Sequence, residues 1–323
     1  MNELQTLTAI VPQLLSDGLA LGFVYAIVAL GYTMVYGILE FINFAHSELF
    51  MFGAFAGTEI LLLLQSQGFL TGMPPTLMLI IAILFAMIVT GLLGVGVDRI
   101  AYKPVRNAPK LVPFISAIGV SFVLQDSVRM AAEIKYGSFY LYAPSMFSNR
   151  IQITPSMAIP EKTLYIVVFC IVIMLALTLF VSRTKWGKAM RAVAQDRATA
   201  QLMGINVNKV ISLTFLIGAG MGGAAGTLFS VQYGSISPYS GFILGMKAFT
   251  AAVFGGIGSI PGAVIGAFII GIAENIIKGG SSIFGFGGSG WTTFSDAFTF
   301  ALLIIILVVK PTGLFGEKAT DKA

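Results

Sequence analysis

Long stretches without a charged side chain leave this chain few places to fold other than a lipid bilayer. Residues 18–39, bounded by Asp17 and Glu40, contain no Asp, Glu, Lys or Arg, and neither do 60–97, 163–182, 210–232 and 297–309. The 60–97 stretch is broken by Met73-Pro74-Pro75, so its second half, 76–97, is a complete span. Residues 112–132 are interrupted only by Asp126 and Arg129, and the region 242–278 by Lys247, Glu274 and the terminal Lys278. About 20 residues of helix cross the hydrocarbon, and a central charge costs about 2.5–3.5 kcal/mol on insertion scales. The expected fold is all-α, a polytopic membrane helical bundle of about eight or nine membrane segments forming a single transmembrane domain over 1–323. Composition agrees: 10% of residues are charged, against roughly 25% in soluble domains.

Charge orients the bundle. Arg183, Lys185, Lys188, Arg191, Arg197 and Lys209 stand against the single acid Asp196, so the segment 183–209 has a net charge of +5, the excess of the whole chain. The positive-inside rule places it in the cytoplasm. The loop 98–111, with Arg99, Lys103, Arg106 and Lys110, and the tail after 309, with Lys310, Lys318 and Lys322, belong on the same side. The loop 133–162 then lies outside, as does the N-terminus. A cytoplasmic C-terminus requires the region 242–278 to cross twice, with Ile257-Gly258-Ser259-Ile260-Pro261 as its inner turn. The basic pI does not indicate nucleic acid, because the basic residues flank apolar spans and are not interleaved with base-stacking aromatics. Cys170, the single cysteine, can form no internal disulfide and no multi-cysteine metal site. Residues 1–17 carry two acids and no Lys or Arg, which argues against a cleaved signal peptide.

Small residues mark tight helix packing. Gly218, Gly222 and Gly226 recur every fourth position, as do Gly258, Gly262 and Gly266, giving flat faces for another backbone. That backbone could belong to this chain or to another subunit. A weak internal echo, Gly53-Ala54-Phe55 ahead of Glu59 and Gly266-Ala267-Phe268 ahead of Glu274, has the form of a transporter repeat but is short.

Two polar stretches are candidates for function. Read as a helix from about Lys185 to Met203, the basic segment sets Trp186, Met190 and Val193 on one face and Lys188, Arg191 and Gln195 opposite. Arg197 interrupts the apolar face, and Gly204 is the expected stop. Such a helix rests on lipid or docks a soluble partner. The stretch Asn43-Phe44-Ala45-His46-Ser47-Glu48 places the only histidine and a carboxylate at the entry to an apolar segment. Polar groups in a membrane face the bundle interior or a water-filled path, which points to Asn43, His46 and Glu48 as path residues. Glu59 lies eleven residues beyond Glu48, on the same helix face, and either joins that path or bonds to a neighbouring helix. Asp126 and Arg129 form a self-satisfied pair; Lys247, Glu274 and Asn275 receive no role.

Enzyme readings fail on the same residues. His46-Ser47-Glu48 has the opening of a zinc deaminase, but its cysteine pair is impossible here. Gly287-Gly288-Ser289-Gly290 has the form of a serine-protease nucleophile loop, yet no base follows it, and an outer glycine loop over Gly279–Gly290 explains it better. No G-x-x-x-x-G-K-[ST] phosphate loop occurs, so the chain is not its own ATPase by that route.

Gly31-Tyr32-Thr33-Met34-Val35-Tyr36-Gly37, followed by Ile42-Asn43-Phe44-Ala45-His46-Ser47-Glu48, resembles the N-terminal signature of permease subunits of branched-chain amino acid ABC importers. Gly187 to Asp196, Ala200 with Gly204-Ile205, and Phe254 to Gly262 are similar to further motifs of that family. The resemblance runs from about Gly18 to Phe315. Two departures stand out: Ser47 occupies a position where the family usually has glycine, and Lys209-Val210-Ile211-Ser212-Leu213 lacks the proline of the general coupling motif.

The resemblance implies a single permease domain in the bacterial inner membrane that is not itself an enzyme. It implies a second homologous permease subunit, two cytoplasmic ATPase subunits and an external or periplasmic amino-acid-binding protein. ATP and Mg²⁺ would sit on the ATPases, with no cofactor in this chain. Lys188, Arg191, Asp196, Arg197, Ala200 and Gly204 would form the ATPase-coupling element. Neutral, hydrophobic amino acids would be the cargo. The alternatives are urea or another small solute, or an ATP-independent channel or ion-coupled carrier using His46, Glu48 and Glu59.

Overall fold

Proline and glycine set the limits of helices that the apolar runs fill. The computed structural model describes residues 3–39, 41–68, 72–109, 111–154, 157–256, 258–283, 290–310 and 312–316. Of the features singled out above, Glu40, Lys110, Ile257, Lys318, Lys322 and residues 284–289 of the glycine loop lie outside them. The chain runs α1 (Glu3–Leu39), α2 (Ala45–Ser66), α3 (Pro75–Val97), a π-helical turn (Asp98–Tyr102) and α4 (Leu111–Tyr136). There follow β1 (Leu141–Tyr142), β2 (Arg150–Thr154), β3 (Met157–Pro160), α5 (Glu161–Arg183), α6 (Lys185–Gln195), α7 (Arg197–Leu202) and α8 (Val207–Tyr233). The last elements are β4 (Ser235–Ile236), α9 (Ser240–Gly255), α10 (Ile260–Ile283) and α11 (Gly290–Val309). Pro75 opens α3 at a position where its missing N–H costs nothing. Gly234, at φ 77°, closes α8 in the left-handed conformation.

Among the described residues, seven helices are long and apolar enough to cross a membrane, and the shorter apolar helices Ser240–Gly255 and Phe294–Val309 add to them. This is the polytopic helical bundle expected from the sequence. The region 242–278 forms two arms, α9 and α10, of which the first is short.

The chain divides into two compact units, residues 1–30, 147–170 and 247–323 in the first and 31–146 and 171–246 in the second. In the first unit, Gly271 of α10 lies against Gly18 and Gly22 of α1, and Gly262 and Gly266 of α10 lie against Gly255 and Ala251 of α9. Gly258 does not join that face. It sits in the turn between α9 and α10 at φ 96°, a conformation that suits glycine. Tyr25 donates to Glu274 Oε2 at 2.8 Å, and Lys247 pairs with Glu274 and Asp296 at 2.6 Å each. Lys278 adds a third bond to Glu274. The hairpin of β2 and β3 also belongs to this unit.

The second unit is built around α8, 78% buried across its most apolar window, whereas its part of α5 presents Val172, Leu175 and Leu179 outward. Lipid tails are as apolar as these side chains, so the driving force for association is close packing of small residues. Gly53 of α2 meets Gly223 of α8 backbone to backbone; Gly57 meets Thr227, and Gly226 meets Phe50 and Ala54. Gly218 packs on Gly31 and Val35, and Gly222 on Phe50. The stripe read from the sequence is thus used within this chain. Thr58 donates to Ser230 at 2.8 Å beside it. At one end of α8 the turn after α3 bonds to Asn208 and Ser212; at the other, β1 pairs with β4.

A Cβ at Gly223 would lie 2.8 Å from the Ala86 carbonyl oxygen and against Thr90. Gly223→Val is therefore expected to destabilise the protein by about 3 kcal/mol or more. Gly119→Val, where nothing lies within 4 Å, is the control. Thermal unfolding of both purified variants in detergent checks this, and equal midpoints would contradict the packing described.

Candidate functional site

The entry of α2 gathers polar side chains into the interior of the second unit. Asn43, His46, Ser47 and Glu48 are all buried. Asn43 Oδ1 accepts from the Tyr102 hydroxyl at 2.6 Å, while its Nδ2 finds no acceptor among the described residues. The His46 ring stands edge-on to Tyr32, with centroids 4.5 Å apart, and occupies the space left by the missing side chain of Gly31. Ser47 donates to the Phe44 carbonyl at 2.6 Å, closing the first turn of the helix.

Glu48 differs from these. Its Oε1 accepts from Ser121 at 3.3 Å, but its buried Oε2 has no hydrogen-bond partner among the described residues and lies against Gly241. Glu48 and Ser121 line a cavity of about 620 Å³ whose other walls include Phe44, Phe114, Ile118, Phe242, Ile243 and Met246. Gln125 and Tyr239 add the remaining polar atoms. A carboxylate oxygen in an apolar wall without a donor is costly, and a cationic group bound there would relieve that cost. The arrangement suits a small molecule with an apolar body and an ammonium group.

Glu59 has other partners, the Lys135 ammonium and the Tyr136 hydroxyl at the far end of α4. Asp126 and Arg129 form the expected pair at 3.1 Å, both largely exposed.

The basic segment is two helices, not the continuous Lys185–Met203 helix expected. Asp196 breaks it: its backbone is extended, and its carboxylate caps α7 by accepting from the N–H groups of Ala198 and Thr199 and from the Thr199 hydroxyl. A side chain offering those bonds competes with continued helix. In α6, Met190 and Val193 are buried and Lys188 and Arg191 face outward, as expected, but Trp186 remains half exposed. Gly187 lets α6 lie against the Phe180 and Val181 carbonyls at the end of α5, and Arg191 also donates to Val181. Arg197, which spoiled the apolar pattern, turns inward and donates to the Ile38 carbonyl near the end of α1. Ala200 is buried, and Gly204 ends α7 at φ 82°.

Residues 14–307 match the family described as the branched-chain amino acid transport system, permease component. The chain is 42% identical over 316 residues to the high-affinity branched-chain amino acid transport system permease protein LivH of Escherichia coli, covering 96% of this chain and 97% of that one. It is 41% identical over 310 residues to BraD of Pseudomonas aeruginosa, described in the same words, at the same coverage. A solved structure, PsaBC from Streptococcus pneumoniae in complex with Fab, aligns over 96% of both chains with 14% identity and a TM-score of 0.46, too slight a likeness to carry an inference. The chain belongs to the permease components of branched-chain amino acid transport systems, and it is a multi-pass membrane protein.

Sequence reasoning missed Ser121, Gly241 and Gly245. The two glycines are four apart, the same signal that marked α8, and they let α9 approach the start of α2. A Cβ at Gly245 would collide with Ser47. Gly245→Ala is expected to destabilise the protein by about 1–3 kcal/mol, and Ser47→Gly in the same chain to recover most of the loss. Thermal unfolding of the single and double variants measures this; the same loss in both backgrounds would contradict the contact.

Proposed function

We propose that this chain is the transmembrane half-pathway of an ATP-driven importer that carries neutral, apolar amino acids of the branched-chain type into the cell. The observation that carries the cargo assignment is the apolar cavity with one unsatisfied carboxylate oxygen, from Glu48, in its wall. An aliphatic side chain fits the apolar lining, and the α-ammonium supplies the missing donor. The names of the LivH and BraD relatives support the same cargo. Asn43 and His46 do not line the cavity; buried at the start of α2 beside Glu48, they would shape the entry to the path. Glu59, bonded to Lys135 and Tyr136, braces the opposite end of α2.

In this proposal the whole chain, 1–323, serves as one permease domain, paired with a second homologous permease subunit. Two cytoplasmic ATPases bind ATP and Mg²⁺, so this chain is neither an enzyme nor a holder of a cofactor. A periplasmic amino-acid-binding protein delivers the cargo from outside. The bacterial inner membrane holds the assembly, with the N-terminus outside and the C-terminus in the cytoplasm, as the charge of the segment 183–209 indicates.

The ATPases dock on α6 and α7. Supporting this, Lys188 and Arg191 face outward, and Leu202 and Met203 are 87% and 78% exposed at the tip, an apolar pair that a protein partner would cover. Each helix is tied to a membrane span, α6 to α5 through Gly187 and Arg191, and α7 to α1 through Arg197. Movement of the segment would pass through Gly204 into α8. From there the contacts of Gly222 and Gly226 reach α2 and Glu48. Such a shift requires that the ATPases bind the two transport states with different affinity.

Gly204→Pro tests this reading. Proline fixes φ near −65° and lacks the N–H that Gly204 donates to the Gln201 carbonyl. The variant is expected to reach the membrane in normal amounts, to recover the ATPase subunits poorly when purified, and to lose ATP-dependent leucine uptake. Normal uptake would overturn the docking assignment.

A further inference from the structure

We propose that the second unit holds the headgroup of an anionic phospholipid in a basic cleft beside α6. The cleft, about 910 Å³, lies where the turn after α3 meets the start of α8, and it is lined by Arg99, Lys103, Arg106 and Lys209 against one acid, Asp98. Four positive charges less one negative leave a net +3 on the lining. Asp98 is already committed: it is buried, accepts from Arg106 at 2.6 Å and accepts from Ser212 at 2.8 Å. Arg106 also donates to Asn208 at 2.8 Å, and its Nε is left without an acceptor among the described residues. None of the ion pairs among the described residues includes Arg99, Lys103 or Lys209. The first turn of α8 adds the positive end of a long helix dipole to the same place.

The walls identify which anion fits. Val95, Phe180, Leu213 and Leu216 face the cleft. Along α3, Ile88 and Leu92 continue the face of Val95 and are 60% and 62% exposed. Trp186, half exposed, stands at the rim, where the indole of a membrane protein sits at headgroup level. A free phosphate has no use for apolar walls that lead onto a lipid-facing helix. A phospholipid places its phosphate among the cations and its acyl chains along α3. Basic pockets between spans on the cytoplasmic side hold anionic headgroups by this chemistry. The assignment to the cytoplasmic leaflet rests on the orientation proposed above; the binding itself does not.

Native mass spectrometry of the intact assembly, extracted in mild detergent and titrated with phosphatidylglycerol or phosphatidylethanolamine, tests this without reference to transport. Wild type is expected to retain phosphatidylglycerol selectively. Each cation removed is expected to weaken retention about fivefold, and the triple variant Arg99→Gln, Lys103→Gln, Lys209→Gln about a hundredfold. Lys209→Gln alone keeps the test valid if the triple variant does not assemble. Arg183→Gln, the same charge change outside the cleft lining, is expected to shift retention less than twofold. Equal retention of the two lipids, or unchanged retention in the variants, would overturn the proposal. So would full competition by inorganic phosphate, which would assign the cleft to a soluble anion, or retention that appears only while the ATPases are bound, which would assign it to their docking surface.

Discussion

The close approach of α2 and α8 is the contact on which the second unit depends. Gly53 against Gly223 brings two backbones together with no side chain between them, and Gly57 and Gly226 hold the contact on either side. In lipid this is how helices gain stability, because burying apolar side chains against one another offers little advantage over burying them in acyl chains. The approach fixes the depth and rotation of α2, and with it the place of the polar residues at its start. Gly241 and Gly245 apply the same device from α9 to the other side of that start. Ser47, Glu48 and Met51 are thus held where a bulkier neighbour would displace them.

Two buried carboxylates, Glu274 and Glu48, are held in different ways in this chain. Glu274 in the first unit is fully engaged, Oε1 by Lys247 and Lys278 and Oε2 by Tyr25. It ties α1, α9 and α10 together and has no oxygen to spare, as expected for a charge kept within the membrane by its partners. Glu48 accepts from Ser121 at 3.3 Å, has Ser47 beside it, and lies against Gly241 in the wall of a largely apolar cavity. Both residues look alike in sequence, single acids in apolar helices. Only their neighbours in the fold set the two apart.

The spans were legible because charge-free runs report membrane crossing directly, and the small-residue stripe of α8 was legible because its spacing is that of a helix face. Gly204 was readable as a stop, since glycine supplies the left-handed residue that ends a helix. Asp196 misled the reading because a short polar side chain within a helical pattern can either face solvent or cap a new helix, and the pattern favours neither. Arg197 looked like a flaw in an amphipathic face until its carbonyl partner, on a helix some 160 residues away in sequence, was known. Lys247 and Glu274 received no role for the same reason: their bonds join elements that sequence spacing does not bring together. The cavity beside Glu48 could not be read at all, because it is made by α2, α4 and α9 jointly.

In the proposed function Glu48 holds the α-ammonium of the cargo. Leucine uptake by the complete transporter in proteoliposomes, with wild type compared with Glu48→Gln, tests it most directly. Losing a charge-assisted bond predicts uptake at sub-saturating leucine lower by about ten- to a hundredfold, with assembly and basal ATP hydrolysis unchanged. Uptake with the same rate and apparent affinity as wild type would contradict the account.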